Sequence, residues 1–114
     1  MEIFPASLDV LERSMDLRMV QQRVTAANLA NIDTPGYTAQ ELDFEASLRS
    51  AMNGETNPAV IAPSTAAPAL DGNNVDLEHE LSVMSRNRVL YSVTSQIVAA
   101  KFRQLGTIFD KENT

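Results

Sequence analysis

The chain has no cysteine and no tryptophan, a single histidine, and only 5% aromatic residues. Without cysteine there is neither a disulfide framework nor thiol chemistry, which leaves the compartment open. Positive charge is in deficit: nine Lys and Arg stand against fifteen Asp and Glu, for a net charge of −6. Nucleic-acid binding needs a basic stripe to neutralise phosphates, so that class is excluded. No run approaches the ~18 consecutive apolar residues of a membrane span. The opening Met1-Glu2-Ile3-Phe4-Pro5 lacks a basic region followed by an apolar one, so it does not read as a Sec signal peptide. A glycine-rich phosphate loop, a nucleophile elbow and a Cys/His pair are all missing. No catalytic residue, cofactor, metal or small-molecule substrate is therefore expected.

Glycine and proline are scarce, four and five, and unevenly spread. Their absence across two long stretches leaves room for helices. Residues 7–31 are predicted helical, with Ser7 as N-cap and Asp9 and Glu12 in the first turns. Leu8, Leu11, Met15, Met19, Gln22, Ala26 and Leu29 step by three and four along one face. Val10, Leu17, Val20, Val24 and Ala27 do so on another. Residues 76–109 form the second helix, capped by Asp76 and with Glu78 and Glu80 following. Leu77, Leu81, Met84, Arg88, Tyr91, Ser95, Val98, Phe102 and Leu105 make a heptad seam with two polar interruptions. Val83, Leu90, Val93, Ile97, Ala100 and Ile108 make a second. Lys101 and Arg103 lie toward the C-terminal end, where they suit the macrodipole. Gly106 either caps this helix or merely weakens it.

An ordinary surface helix has one apolar stripe. Two stripes on each of two helices exceed what one small chain covers. A helix of about thirty residues also spans ~45 Å, against a radius of gyration of ~13 Å for a compact domain of this size. The expected object is all-α and elongated, an antiparallel, coiled-coil-like pair of long helices in a single domain, 1–114. Leu8, Leu11, Met15, Leu17, Val20, Val24, Leu81, Met84, Leu90, Tyr91, Val98, Phe102 and Leu105 are the expected inter-subunit packing residues.

Between the helices, Thr34-Pro35-Gly36-Tyr37 reads as a type II turn, with proline fixing φ and glycine free to take φ > 0. Thr34 precedes a proline, so the helix ends before it. Asn31 is a candidate left-handed residue at that end, and Asp33 or Thr34 can bond nearby amides. Leu42 and Phe44 alternate with Glu41, Asp43 and Glu45, which suits a short strand or extended arm, followed by a short helix over 44–52. The three acids read as a solvated edge, with weak calcium binding or contact with a basic partner as the functional alternatives. Residues 53–74 are rich in Pro, Ala, Asn and Gly and read as a flexible irregular loop. A hairpin-like excursion docking Val60 and Ile61 on a neighbour is the alternative. His79, between Glu78 and Glu80, reads as part of a solvated helix start, because adjacent helical positions do not converge on a metal.

The contiguous run Ala27-Asn28-Leu29-Ala30-Asn31-Ile32-Asp33-Thr34-Pro35-Gly36-Tyr37 resembles the Ala-Asn-(Ile/Leu)-Ala-Asn-x-x-Thr-Pro-Gly-Tyr signature of the bacterial flagellar rod and hook axial proteins. Thr38 stands where many members carry a basic residue, and Asp33 where several have asparagine. The stretch Gly72-Asn73-Asn74-Val75-Asp76, with Tyr91 later in the helix, resembles the B group of proximal rod proteins more than the C group. The short length agrees, since distal members carry large inserted domains. The resemblance implies a structural subunit of the proximal rod that transmits torque, located in the basal body and exported through the flagellar type III apparatus without cleavage. Asn28, Asn31, Thr34, Pro35, Gly36 and Tyr37 would set the turn and neighbour contacts. Implied partners are the other rod proteins, the hook–basal-body adaptor protein, the export gate and the membrane ring. The alternative function is a secreted helical adaptor or chaperone-like binding module.

Overall fold

In the computed structural model, which describes residues 6–112, five elements follow one another. They are α1 (Ala6–Ala30), β1 (Gln40–Leu42), α2 (Phe44–Met52), β2 (Ile61–Pro63) and α3 (Leu77–Glu112). Residues 1–5, and with them the reading of a missing signal peptide, lie outside the described residues. The fold is mostly helical, with two long terminal helices, but it is not all-α. β1 and β2 pair antiparallel, in the register Gln40↔Pro63, Glu41↔Ala62, Leu42↔Ile61.

Local chemistry explains most boundaries. α1 begins at Ala6, so Ser7 lies in its first turn and does not cap it. Asp43 caps α2, its Oδ1 accepting from the Ala46 N–H at 3.0 Å. Asp76 caps α3 as expected: its Oδ1 accepts from the His79 N–H at 3.2 Å and its carbonyl from the Glu80 N–H at 2.9 Å. α3 then runs through Gly106 without a break. Lys101 and Arg103 therefore stand well before its end, and Lys111 occupies the last turn.

Two contacts fix how the long helices lie. Asn28 of α1 is level with Glu80 of α3, and the Asn87 side chain donates to the Arg18 carbonyl at 2.8 Å. Position falls along α1 as it rises along α3, so the helices run in opposite senses. From that level α1 reaches back 22 residues to Ala6, while α3 runs on 32 residues to Glu112. The last ten or so residues of α3, about 15 Å of helix, extend past the described part of α1. The molecule measures 69 × 26 × 16 Å, with a radius of gyration of 18.4 Å, far from the ~13 Å of a compact chain.

The interior is small and unusually polar. Its apolar members are Leu8, Leu17, Ala39 and Ala51, and Thr25, Asn28, Ser47, Asn73, Glu80 and Asn87 are buried beside them. Leu8 and Leu17 are 1% and 2% exposed inside the single chain. Both pack within its own core. The 53–74 stretch is not irregular throughout. Ser47 Oγ donates to the Asp43 carbonyl at 2.6 Å and accepts from the Val60 N–H at 2.8 Å, and the Asp43 N–H donates to the Val60 carbonyl at 2.9 Å. Val60 is thus docked on its own chain. Pro63 lacks an N–H and sits in a strand with a free edge, where a proline is tolerated.

Candidate functional site

The resembling run closes one end of the molecule around Asn28, which is 1% exposed. Its Nδ2 donates to the Gln40 carbonyl at 2.8 Å and to Glu80 Oε1 at 3.1 Å. Its Oδ1 accepts from the Gln40 N–H at 3.0 Å and the Tyr37 hydroxyl at 3.2 Å. An amide side chain offers two donors and two lone pairs, and all four are used. One residue thereby ties α1 to the turn, β1 and α3.

The turn has the predicted type. The Tyr37 N–H donates to the Thr34 carbonyl at 3.2 Å, and Gly36 has φ +76°. The helix end differs from expectation. No described residue other than glycine has positive φ, so Asn31 is not left-handed. Instead the chain tightens into successive i→i+3 bonds, Ile32 to Leu29 and Thr34 to Asn31. Asn31 Nδ2 donates to the Ala27 carbonyl and its Oδ1 accepts from the Thr34 hydroxyl, so Thr34 bonds a side chain and not the backbone amide expected. Carbonyls of this segment are also capped from the far side of the loop. Asn73 Nδ2 donates to the carbonyls of Asn31, Ile32 and Thr34 at 2.8, 3.1 and 2.8 Å.

The next residue, Asn74, accepts from the Ala39 N–H at 2.7 Å and donates to the carbonyls of Ser64 and Ala66. The Gly36 N–H donates to the Asp71 carbonyl at 2.8 Å, and a Cβ on Gly72 would lie 3.2 Å from Gly36 Cα. The two glycines pack backbone to backbone. Tyr37, expected to dock on a neighbour, spends its hydroxyl on Asn28 and is half-buried. Pro35 and Thr34 remain exposed.

The acids do not converge. Glu41 lies 4.0 Å from His79, Asp43 caps α2, and Glu45 pairs with Arg49 inside that helix. They therefore share no extended edge. Glu80 turns inward to Asn28, whereas Glu78 is exposed.

Arg18 is the residue that patterning missed. Its guanidinium carbon lies 4.0 Å from the centroid of the Phe44 ring, and its Nε is buried without a partner. Burial, and then the charge of Arg86, hold Arg18 below the usual arginine range. The pair opens onto a groove of about 330 Å³ between α1, β1 and α3.

The outer surface is apolar. Met19, Leu77, Leu81, Val89, Val93, Ile97, Phe102, Ile108 and Phe109 are each between 42% and 61% exposed. Of the expected packing residues, Leu81 and Phe102 belong here. Leu11, Met15, Val20, Val24, Met84, Leu90, Tyr91, Val98 and Leu105 are half-buried.

Comparison with known proteins points one way. A family model described as "Flagella basal body rod protein" matches residues 8–38, which is α1 and the turn. The "Flagellar basal body rod protein FlgB" of Borrelia hermsii is 30% identical, over 95% of this chain and 98% of that protein. The protein of the same description from Escherichia coli K12 is 29% identical, over 95% and 96%. That from Bacillus subtilis 168 is 27% identical, over 95% and 96%.

Proposed function

The chain belongs to the flagellar basal body rod protein family, and from that premise we propose that it occupies the proximal part of the rod, as a member of the B group. It is a structural subunit of the basal body rod and assembles with other basal-body components. In the proposed role α1 and α3 pack against neighbouring subunits and pass torque along the rod. Its partners are other rod proteins, the hook–basal-body adaptor protein, the export gate and the membrane ring. It reaches its periplasmic position through the flagellar type III apparatus, uncleaved.

The observation that carries this reading is the exposed apolar surface of a 36-residue helix in a chain 69 Å long. Extensive apolar surface on a soluble chain marks an interaction site, and a rod supplies neighbours along the whole length. No observation favours the adaptor reading. The test is to locate the protein in isolated basal bodies by immunogold labelling. Gold at the membrane-proximal end of the rod is the expected result, and absence from the particles overturns it.

A further inference from the structure

Two features of the chain are built but unused within it. The first is Leu70, a large apolar side chain that is fully exposed on a firmly held frame. The turn Ala69-Leu70-Asp71-Gly72 is closed by the Gly72 N–H on the Ala69 carbonyl at 2.9 Å. The Ala69 N–H donates to the Asn73 carbonyl at 2.8 Å, and the Gly36 N–H to the Asp71 carbonyl at 2.8 Å. The Asn73 N–H donates to Asp71 Oδ1 at 3.0 Å. A side chain presented on a fixed backbone needs little further ordering when it docks. Asp71 beside it is exposed, and a carboxylate offers about four lone-pair sites, so it can accept more than this one bond.

The second feature is the groove between α1, β1 and α3. Leu42, Phe44 and Val83 line it with apolar surface, and Arg18 and Arg86 with positive charge. Neither guanidinium donates a hydrogen bond or enters an ion pair among the described residues. Arg18 has the Phe44 ring against it, at 4.0 Å, and no carboxylate. The acids of the groove are engaged elsewhere, Glu80 with Asn28 and Glu41 beside His79. A part-buried charge is costly until it is paired. The volume of about 330 Å³ admits a leucine side chain together with a carboxylate. Leucine next to aspartate on the turn thus matches apolar floor next to arginines in the groove. The two do not meet in one molecule. Asp71 is tied to Gly36, beyond the C-terminal end of α1 at Ala30, and Arg18 lies ~18 Å of helix before that end.

Resting on the rod-subunit reading, we propose that this groove is the receptor for the 69–72 turn of a second copy, with Leu70 on Leu42, Phe44 and Val83 and the Asp71 carboxylate on Arg18 and Arg86. Recognition is by a turn and a pocket, and the exposed apolar ridge of α3 takes no part in it. One leucine and one charge cluster bury far less than the roughly 1,200 Å² of a stable free-standing interface. The contact therefore forms between copies that the rod already brings together, and not between free chains.

Because Leu70 is fully exposed, Leu70→benzoylphenylalanine leaves the fold intact and makes the turn photoreactive. The altered chain is expressed in a flagellated cell deleted for its own copy, the cells are irradiated, and basal bodies are isolated. A cross-linked dimer of the chain is expected, with position 70 joined to a peptide that holds Phe44 or Val83. Arg86 is exposed and unbonded, so its replacement spares the fold as well. Arg86→Glu sets an acid opposite Asp71 and is expected to lower the cross-link about tenfold, whereas Arg86→Lys keeps most of it. Basal bodies that contain the altered chain but show no cross-link, or a cross-link to another protein or another surface of this chain, overturn the contact and leave the rod reading intact. So does a yield that Arg86→Glu does not change. Absence of the unaltered chain from basal bodies overturns the rod reading, and this contact with it.

Discussion

The two ends of the molecule are held by opposite means. At the turn end Asn28, Asn73 and Asn74 are buried or half-buried, and their side chains hold the turn, the ribbon and the start of α3 together. At the other end α3 presents Val93, Ile97, Ile108 and Phe109, each 43–55% exposed, and runs past α1. A buried polar network is costly when incomplete and specific when complete. An exposed apolar helix contributes little to its own fold and awaits burial elsewhere. The chain thus fixes its shape at the turn end with hydrogen bonds and carries exposed apolar side chains along the length of α3, from Leu77 and Leu81 to Ile108 and Phe109. A subunit that must fold and then assemble gains from that division, because its folding and its joining depend on different residues.

The sharpest way to break the contrast is at Asn28. Asn28→Asp keeps the shape but removes the Nδ2 donor from the Gln40 carbonyl and Glu80. It also sets a second carboxylate against one that is 4% exposed. Losing one partner of a buried charged group costs roughly 3–5 kcal/mol. Asn28→Ala removes all four bonds but adds no charge, and is expected to cost less, about 2–3 kcal/mol. Denaturant unfolding of the three proteins gives the order. Equal losses for Asp and Ala would mean that Glu80 does not feel position 28 as a charge.

Much of this architecture was legible in the sequence, and the parts that were not share a cause. The long helices, the Asp76 cap, the 44–52 helix and the Pro35–Gly36 turn rest on local signals, readable from neighbours in the chain. β2 was missed because Ile61-Ala62-Pro63 is too short to show a period and exists through pairing with β1. Asn73 and Asn74 sit in a stretch whose composition reads as loop, and asparagine is as common in solvated turns as in buried caps. The role of Asn73 depends on the Asn31 carbonyl, 42 residues away, and that of Asn74 on the Ala39 N–H, 35 residues away. Leu8 and Leu17 carry the right spacing for an apolar stripe, but spacing does not say whether a stripe meets its own chain or another. Asn28 was marked by its motif, whereas its partner Glu80 looked like an ordinary acid of a first helical turn.

A smaller effect separates the two glycines that meet at the turn. Gly36 and Gly72 have φ +76° and +85°, so alanine at either is strained by roughly 1–2 kcal/mol. At Gly36 a Cβ meets nothing within 4 Å, whereas at Gly72 it lies 3.2 Å from Gly36 Cα. Gly72→Ala is therefore expected to unfold about 1 kcal/mol more easily than Gly36→Ala, because backbone must also give way. Thermal melts of both variants measure the difference. Equal melts would show that the loop and the turn separate at little cost.

The smallest effect on folding belongs to the opposite end, and it is the most telling. Val93 is 47% exposed on α3, with Val89 and Ile97 one turn to either side. Asp and Val have similar intrinsic helix propensities, and a solvated carboxylate there has no buried contact to lose. Val93→Asp is therefore expected to leave unfolding within about 0.5 kcal/mol of the unaltered chain. In the assembled rod the same carboxylate would enter an apolar contact, where an unpaired charge is costly. Incorporation into basal bodies and swimming should then fail although the purified chain is as stable as before. Val98→Asp, half-buried against its own chain, should lower both stability and assembly. The comparison fails if Val93→Asp destabilises the isolated chain as much as Val98→Asp does, since the exposed ridge would then belong to the fold. It also fails if Val93→Asp assembles normally, since the ridge would then meet no neighbour.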